Sequence, residues 1–238
     1  MRLNQTVGDE IFSILRKRII TLELQFGEKI DPQKISQELG VSQTPIREAL
    51  NRLSHRKLAI SIPRVGYYVI RPSEEDVREI CYLRKLLEGD ALRSAVEKMD
   101  RKRLREFRQK VREILTRKEL GEKFFKLDEK FHRWIVSNSP IKRLKDFFSQ
   151  IYDLVVIFQR ITGSATLDRT SNDHIAIIDF LLEKDVEGAR KVLNNHIDDT
   201  QSRVMKALKS EKKLAKKEEV SHSTVNIREA YSTYSRRR

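Results

Sequence analysis

One aspartate and three histidines of this chain have the types and placement to hold a metal ion: Asp128, His132, His174 and His196. Asp128 and His132 are four residues apart, so on a helix both side chains leave from one face. Phe124, Phe131 and Ile135 share that face, which turns the pair inward. His174 lies beside Ile175 and Ile178, at the start of a helical pattern over Asn172 to Leu182. His196 follows Val192 and Leu193 on the last one. One carboxylate and three imidazoles suit a divalent transition ion such as Zn²⁺ or Ni²⁺, with positions left for water or a ligand carboxylate. Arg84 stands one turn before Glu88, next to Leu83 and Leu87. A partly buried guanidinium there could clamp a carboxylate through two parallel N–H donors. Spacing alone fits other readings too: inward histidines are also hydrogen-bonded core residues, and Arg84 with Glu88 is also a surface ion pair.

A second set of residues is suited to DNA. Pro32 to Leu39 reads as a short helix with Ile35 and Leu39 on one side, ended by Gly40, which takes a left-handed C-cap cheaply. Ser42 can N-cap the next helix, with Pro45 inside its first turn. Ile46, Ala49, Leu50 and Leu53 form its apolar stripe, while Ser42, Gln43, Thr44, Arg47, Asn51 and Arg52 present hydrogen-bonding groups on the other side. Two helices joined by a tight glycine turn in this way form a helix-turn-helix, whose second helix enters a DNA major groove. An ordinary helical hairpin with a solvated face has the same pattern, but the next segment favours the first reading. Ala59-Ile-Ser-Ile62 and Tyr67-Tyr-Val-Ile70 are strand-like runs flanking the turn residues Pro63-Arg-Val-Gly66. A hairpin with Arg64 at its tip is a wing that can reach phosphate or the minor groove.

These residues need elements to carry them. Val7 to Leu22 has Val7, Ile11, Ile14, Leu15, Ile19 and Leu22 at helical spacing, a helix to pack behind the helix-turn-helix. After the wing, Arg71-Pro72 breaks the pattern, and Ser73 caps a helix with Glu74, Glu75 and Asp76 in its first turn. From 73 to 208 the chain reads as six helices, with Leu104, Phe107, Val111 and Leu115 marking the second. Pro140 and Gly163 separate later ones, and Lys184-Asp185 splits the last two. The expected fold is mainly α: a winged helix-turn-helix over 1–72, an all-helical bundle over 73–208 able to enclose a ligand, and a basic tail over 209–238. Part of that tail could extend the last helix; the rest has little to bury and reads as disordered.

Composition narrows the class. The formal charge is +14, which favours a polyanionic partner. It is spread along the chain, however: residues 1–72 hold 12 Lys/Arg against 7 Asp/Glu, and 209–238 hold 9 against 4. The helix pattern is therefore the stronger argument for nucleic acid. Cys81 is the only cysteine, which excludes a disulfide framework or cysteine zinc site within one chain. No apolar run reaches the roughly 18 residues of a membrane span, and Met1–Thr6 lacks the apolar core of a signal peptide. The expectation is a cytoplasmic protein without a membrane partner.

Val41-Ser-Gln-Thr-Pro-Ile-Arg-Glu-Ala-Leu50 with the Arg64-Val-Gly66 wing resembles the winged helix of GntR-family transcription regulators. Arg84-Lys-Leu-Leu-Glu88, Asp128-Glu-Lys-Phe-His132, His174 and His196 resemble the FCD ligand-binding domain of the FadR-like subfamily. The resemblance spans about residues 7–208. It implies a homodimeric, effector-responsive regulator, usually a repressor, on a near-palindromic operator. Ser42, Thr44 and Arg47 match DNA-contacting positions, and Arg64 and Gly66 match the wing tip. Gln43 stands where many members carry arginine; Gln pairs with adenine where Arg favours guanine, so the operator is expected to differ at that base. The tetrad would hold one divalent metal per chain, and a small carboxylic acid would bind beside it, with Arg84 as a clamp. Two other readings remain open here: a metal-dependent hydrolase, for which no general base is evident, and an architectural DNA binder with a structural metal.

Overall fold

The computed structural model describes residues 6–117, 121–163 and 167–218. It divides into two compact units, one built on the residues up to Arg71 and the other spanning Pro72–Lys206.

The first unit opens with α1 (Val7–Ile20), capped by a reciprocal pair: Thr6 accepts from the Asp9 N–H, and the Asp9 side chain accepts from the Thr6 N–H. Caps of this kind contribute ~1 kcal/mol. Ile11, Leu15 and Ile19 are buried, but Val7 and Ile14 are exposed, so the apolar stripe is narrower than the spacing suggests. A two-residue strand β1 (Lys29–Ile30) follows, then α2 (Pro32–Leu39), with Asp31 as N-cap and Pro32 in its first turn. Gly40 closes α2 at φ 64°, as its position requires. In α3 (Gln43–His55), Ile46, Ala49, Leu50 and Leu53 are fully buried. Ser42 occupies the N-cap position, but its side chain makes no capping hydrogen bond. Strands β2 (Ala59–Ile62) and β3 (Gly66–Val69) form the wing. The sheet order is β1-β3-β2, all antiparallel, with Ile62 opposite Gly66 and Lys29 opposite Tyr68. β1 carries too little pattern to be read from sequence.

The second unit holds six helices among the described residues. They are α4 (Glu74–Ala95), α5 (Arg101–Arg117), α6 (Glu122–Ser137), α7 (Lys142–Thr162), α8 (Leu167–Leu182) and α9 (Val186–Glu218). Ser73 and Asp76 cap α4 reciprocally, as Thr6 and Asp9 do α1. On α5 the buried residue of the last turns is Ile114 rather than Leu115. Helix α8 starts before Asn172, which places His174 inside it instead of at its start. The core includes Phe124, Phe131, Phe148, Phe158, Ile178, Leu193 and Ile197, all buried. Burying each such side chain contributes ~1.5–3 kcal/mol, enough together to offset the desolvation of a few charged groups. Helix α9 continues to Glu218; the expectation of disorder beyond it falls outside the described residues. No described helix is long and apolar enough to cross a membrane.

Candidate metal centre and nucleic-acid interface

Helices α6, α8 and α9 bring Asp128, His132, His174 and His196 together, with one ligand atom from each lying within 4.8 Å of the others. All four residues are buried. His174 Nε2 is 3.3 Å from His132 Nε2 and 3.2 Å from Asp128 Oδ1. Two ligands ~2.0–2.1 Å from a tetrahedral zinc ion lie about 3.3 Å from each other. The observed spacings therefore leave the right space for an ion. Asp128 Oδ1 is buried without a hydrogen-bond partner among the described residues, whereas Oδ2 accepts from Gln159 Nε2. A buried carboxylate oxygen lacking a donor is costly unless a cation meets it. Donor set, spacing and orphaned oxygen thus fit a divalent transition ion.

Side chains behind the ligands fix their orientation. Glu88 Oε2 lies 2.5 Å from His132 Nδ1. A carboxylate can only accept, so Nδ1 carries a proton and Nε2 is the nitrogen that faces the centre, to give up its own proton when a metal binds. Glu88 Oε1 accepts from Arg84 Nε at 2.7 Å. Arg84 is 1 % exposed, so the ion pair with Glu88 exists but lies in the core rather than on the surface. Phe124 stacks parallel to His174 with ring centroids 6.0 Å apart, and Phe131 lies tilted against it at 5.0 Å. Asp173 Oδ2 is 3.4 Å from His196 Nδ1.

Electrostatics matches these roles. Burial lowers the pKa of His196 to about 4 and also lowers that of His174, so both are neutral with a nitrogen lone pair available at physiological pH. Burial opposes charge on His132 as well, but Glu88 and Asp128 outweigh it and raise its pKa to about 9. Burial works against the Glu88 carboxylate, yet Arg84 and His132 hold it down at about 2. Against its own burial, Asp128 is held well below the usual carboxylate range by His132 and His174. The metal-free centre is thus a net of compensating charges in which a cation can replace a proton.

The sequence singles out the four residues that the fold brings together, but not Glu88 as the neighbour of His132. Its signal was the Arg84–Glu88 spacing, which reads equally as a surface pair. Arg84 faces Glu88 and His132, and it is absent from the residues lining the small cavity beside Asp128 and His196. Arg84 Nε donates to Glu88, so the guanidinium expected as an effector clamp also holds the carboxylate behind His132.

In the first unit, Ser42, Gln43, Thr44 and Arg47 are exposed on α3, and Arg64 is exposed at the wing tip with φ 64°. Left-handed backbone in a non-glycine residue costs about 1 kcal/mol, strain of a kind that gathers at functional positions. Asn51 Oδ1 accepts from the Tyr67 hydroxyl at 2.9 Å, fixing the wing against α3. Arg52 is held by Asp9 Oδ1 at 2.8 Å and lies over the Phe12 ring at 4.5 Å, so part of its bonding capacity braces α1 against α3. Lys29, which the sequence did not single out, lines a groove of about 430 Å³ with Arg47 and Arg64. It passes so close to Gly66 that a β-carbon there would sit 3.3 Å from Lys29 Cε, and Gly66 has φ 137°. Position 66 thus needs glycine for its backbone conformation.

A winged helix-turn-helix with an exposed polar recognition helix, followed by a helical bundle enclosing an Asp–His cluster, defines a DNA-binding regulator with a ligand-binding domain. Residues 8–69 match the gntR family of bacterial regulatory proteins, and residues 79–199 match the FCD domain. The chain belongs to the GntR family and carries an FCD domain; it is a transcriptional regulator and not an enzyme. It is 26% identical over 195 residues to the HTH-type transcriptional regulator YdhC of Bacillus subtilis, covering 79% of this chain and 87% of that one. It is 26% identical over 224 residues to the gluconate operon transcriptional repressor of Bacillus licheniformis, covering 89% of this chain and 90% of that one. A crystal structure of a GntR regulator from Rhodococcus sp. RHA1 shares the fold with a TM-score of 0.72 at 20% identity, over 84% of this chain and 98% of that one. The Zn²⁺-bound FCD domain of TM0439 aligns with a TM-score of 0.52 at 18% identity, over 58% of this chain and 97% of that one.

Proposed function

We propose that this regulator is a cytoplasmic, homodimeric repressor whose hold on a near-palindromic operator is set by a small carboxylic acid bound beside one divalent metal ion, zinc or nickel. Residues 1–72 read the DNA, 73–208 sense the effector and dimerise, and 209–238 form a basic extension. The buried Asp128–His132–His174–His196 cluster, with an orphaned carboxylate oxygen at its centre, is the observation that carries the reading. A bound metal would supply a Lewis-acid hold on a carboxylate oxygen. Glu88 keeps His132 in the ligand tautomer, Arg84 neutralises Glu88, and Phe124 and Phe131 keep water from His174. Relatives named as repressors support the sign of regulation.

On the DNA, Ser42, Gln43, Thr44 and Arg47 reach base edges from α3, while Arg64 and Gly66 bring the wing to the backbone or minor groove. Lys29, one strand away, is placed for a phosphate. Arg52 meets phosphate with the part of its guanidinium that Asp9 leaves available. A second copy covers the exposed apolar residues Tyr82, Leu83 and Leu86 of α4. An exposed apolar set of this kind marks an interface.

The test is an operator titration. A duplex selected from a random pool by the full chain is titrated with zinc-loaded and chelated protein, with and without a panel of small carboxylates. The reading expects at least one acid to change operator affinity only when metal is bound; no response from the loaded protein would count against it.

A further inference from the structure

Helices α5 and α6 pack on each other, and an open groove of about 890 Å³ runs along them. Its floor is apolar: Phe107 and Ile114 come from α5, Leu127 and Trp134 from α6. The members of each pair are seven residues apart, about two helical turns, so each pair forms a stripe along its helix. Cations line the groove at the same interval. Arg103, Lys110 and Arg117 follow one another on α5 in seven-residue steps; on α6, Lys123 is so related to Lys130 and Lys126 to Arg133. Against these seven basic residues stand two acids, Glu106 and Glu113, and Glu113 accepts from Gln109 Nε2 at 2.9 Å. Lys126 and Arg133 pair with Glu122 and Glu129 on their own helix, as solvated i,i+4 pairs that contribute little. Lys110 and Lys130 have no ion-pair partner among the described residues. The groove is separate from the Asp–His cluster, since Asp128 and His132 leave α6 into the core whereas Lys126 and Lys130 are exposed.

We propose that this groove docks an acidic amphipathic helix of another protein. The apolar stripe of that helix lies over Phe107, Ile114, Leu127 and Trp134, and its carboxylates meet the cations of α5 and α6. The row from Arg103 to Arg117 extends ~21 Å along α5, the length of a helix of about fourteen residues. The alkyl stems of the lysines widen the apolar bed, and their ammonium groups stay in water to meet the incoming acids. Charge alone would also suit a nucleic acid, but the floor argues against one. Single-stranded bases stack on open ring faces, whereas Phe107 and Trp134 are buried, their centroids 5.5 Å apart, and Arg103 lies over the Phe107 ring at 6.0 Å. A duplex backbone would use the cations and leave the apolar stripes without an apolar partner. Only an occupant with one apolar and one acidic face uses both features of the groove.

Trp134 is the only tryptophan of the chain, so its emission reports occupancy of the groove. The experiment uses the full-length protein and a synthetic helix of about fourteen residues without tryptophan, with leucines on one face and glutamates beside them. The controls are a peptide of the same composition with the leucines scattered, a lysine-for-glutamate version, and inorganic polyphosphate. The expected result is that the striped acidic peptide shifts Trp134 emission and binds about tenfold or more tighter than the scattered one. Lys110→Glu combined with Lys130→Glu then weakens it about tenfold or more and improves binding of the lysine version. If that double variant fails to fold, Lys110→Gln with Lys130→Gln gives the same loss for the acidic peptide. Equal binding of the striped and scattered peptides, or binding that leaves Trp134 emission unmoved, overturns the proposal. Polyphosphate that shifts the emission where the striped peptide does not makes the groove a polyanion site and overturns it as well.

Discussion

Glu88 Oε2 lies 2.5 Å from His132 Nδ1, and this contact ties a carboxylate on α4 to a histidine of the Asp–His cluster on α6. It sets which imidazole nitrogen is free for metal. Glu88→Gln keeps a similar shape but weakens that control, and metal affinity should fall ~10–100-fold with the fold retained. Competition against a chromogenic chelator measures it; an unchanged affinity would remove Glu88 from the centre. Glu88→Ala should be harsher, since it leaves Arg84 buried and uncompensated, a loss of ~3–5 kcal/mol.

His174→Ala together with His196→Ala should abolish metal binding, since two of four ligands are lost. Elemental analysis still giving one ion per chain would mean the ion sits elsewhere. Chelation of the wild type should lower the melting temperature, because a ligand bound only by the folded state stabilises it. The double variant should show no such shift.

Arg47→Ala should weaken specific operator binding by ~1–3 kcal/mol and relax preference at one base, whereas Lys29→Ala should weaken all duplexes alike and reduce the salt slope by about 1. Fluorescence anisotropy across a salt series separates the two effects. A Lys29 variant with an unaltered slope would place that side chain away from phosphate. Gln43→Arg should shift the preferred base toward guanine.

Leu86→Asp should disrupt the apolar face on α4 and shift the protein from dimer to monomer in sedimentation velocity, with operator affinity falling because one half-site is lost. A dimer that survives this charge would put the interface on another surface.

Much of this was legible in the sequence because helices write their faces at fixed spacing. Asp128 and His132 declare themselves as an inward i,i+4 pair, and Ile46, Ala49, Leu50 and Leu53 declare the back of α3. His174 and His196 could be matched to that pair by type, but only tertiary packing makes Nε2 of His174 and His132 neighbours at 3.3 Å. Glu88 is not legible as a neighbour of His132 because an i,i+4 ion pair looks the same in the core as on the surface. Gln159 was missed because it follows the apolar run Leu154–Phe158 and its partner Asp128 is on another helix. Lys29 was hidden in a strand too short to show alternation, and the exposure of Val7 and Ile14 shows an apolar pattern broader than the surface that α1 buries.

The central claim is that the Asp–His cluster governs DNA binding through a small acid. The most direct measurement is operator affinity of wild type and His132→Ala, each incubated with zinc, with and without the panel of small carboxylates. The account predicts that an acid changes wild-type affinity by roughly 5–150-fold, the range of allosteric coupling, and leaves the variant unmoved. Equal responses from both proteins, or none from zinc-loaded wild type, would contradict it.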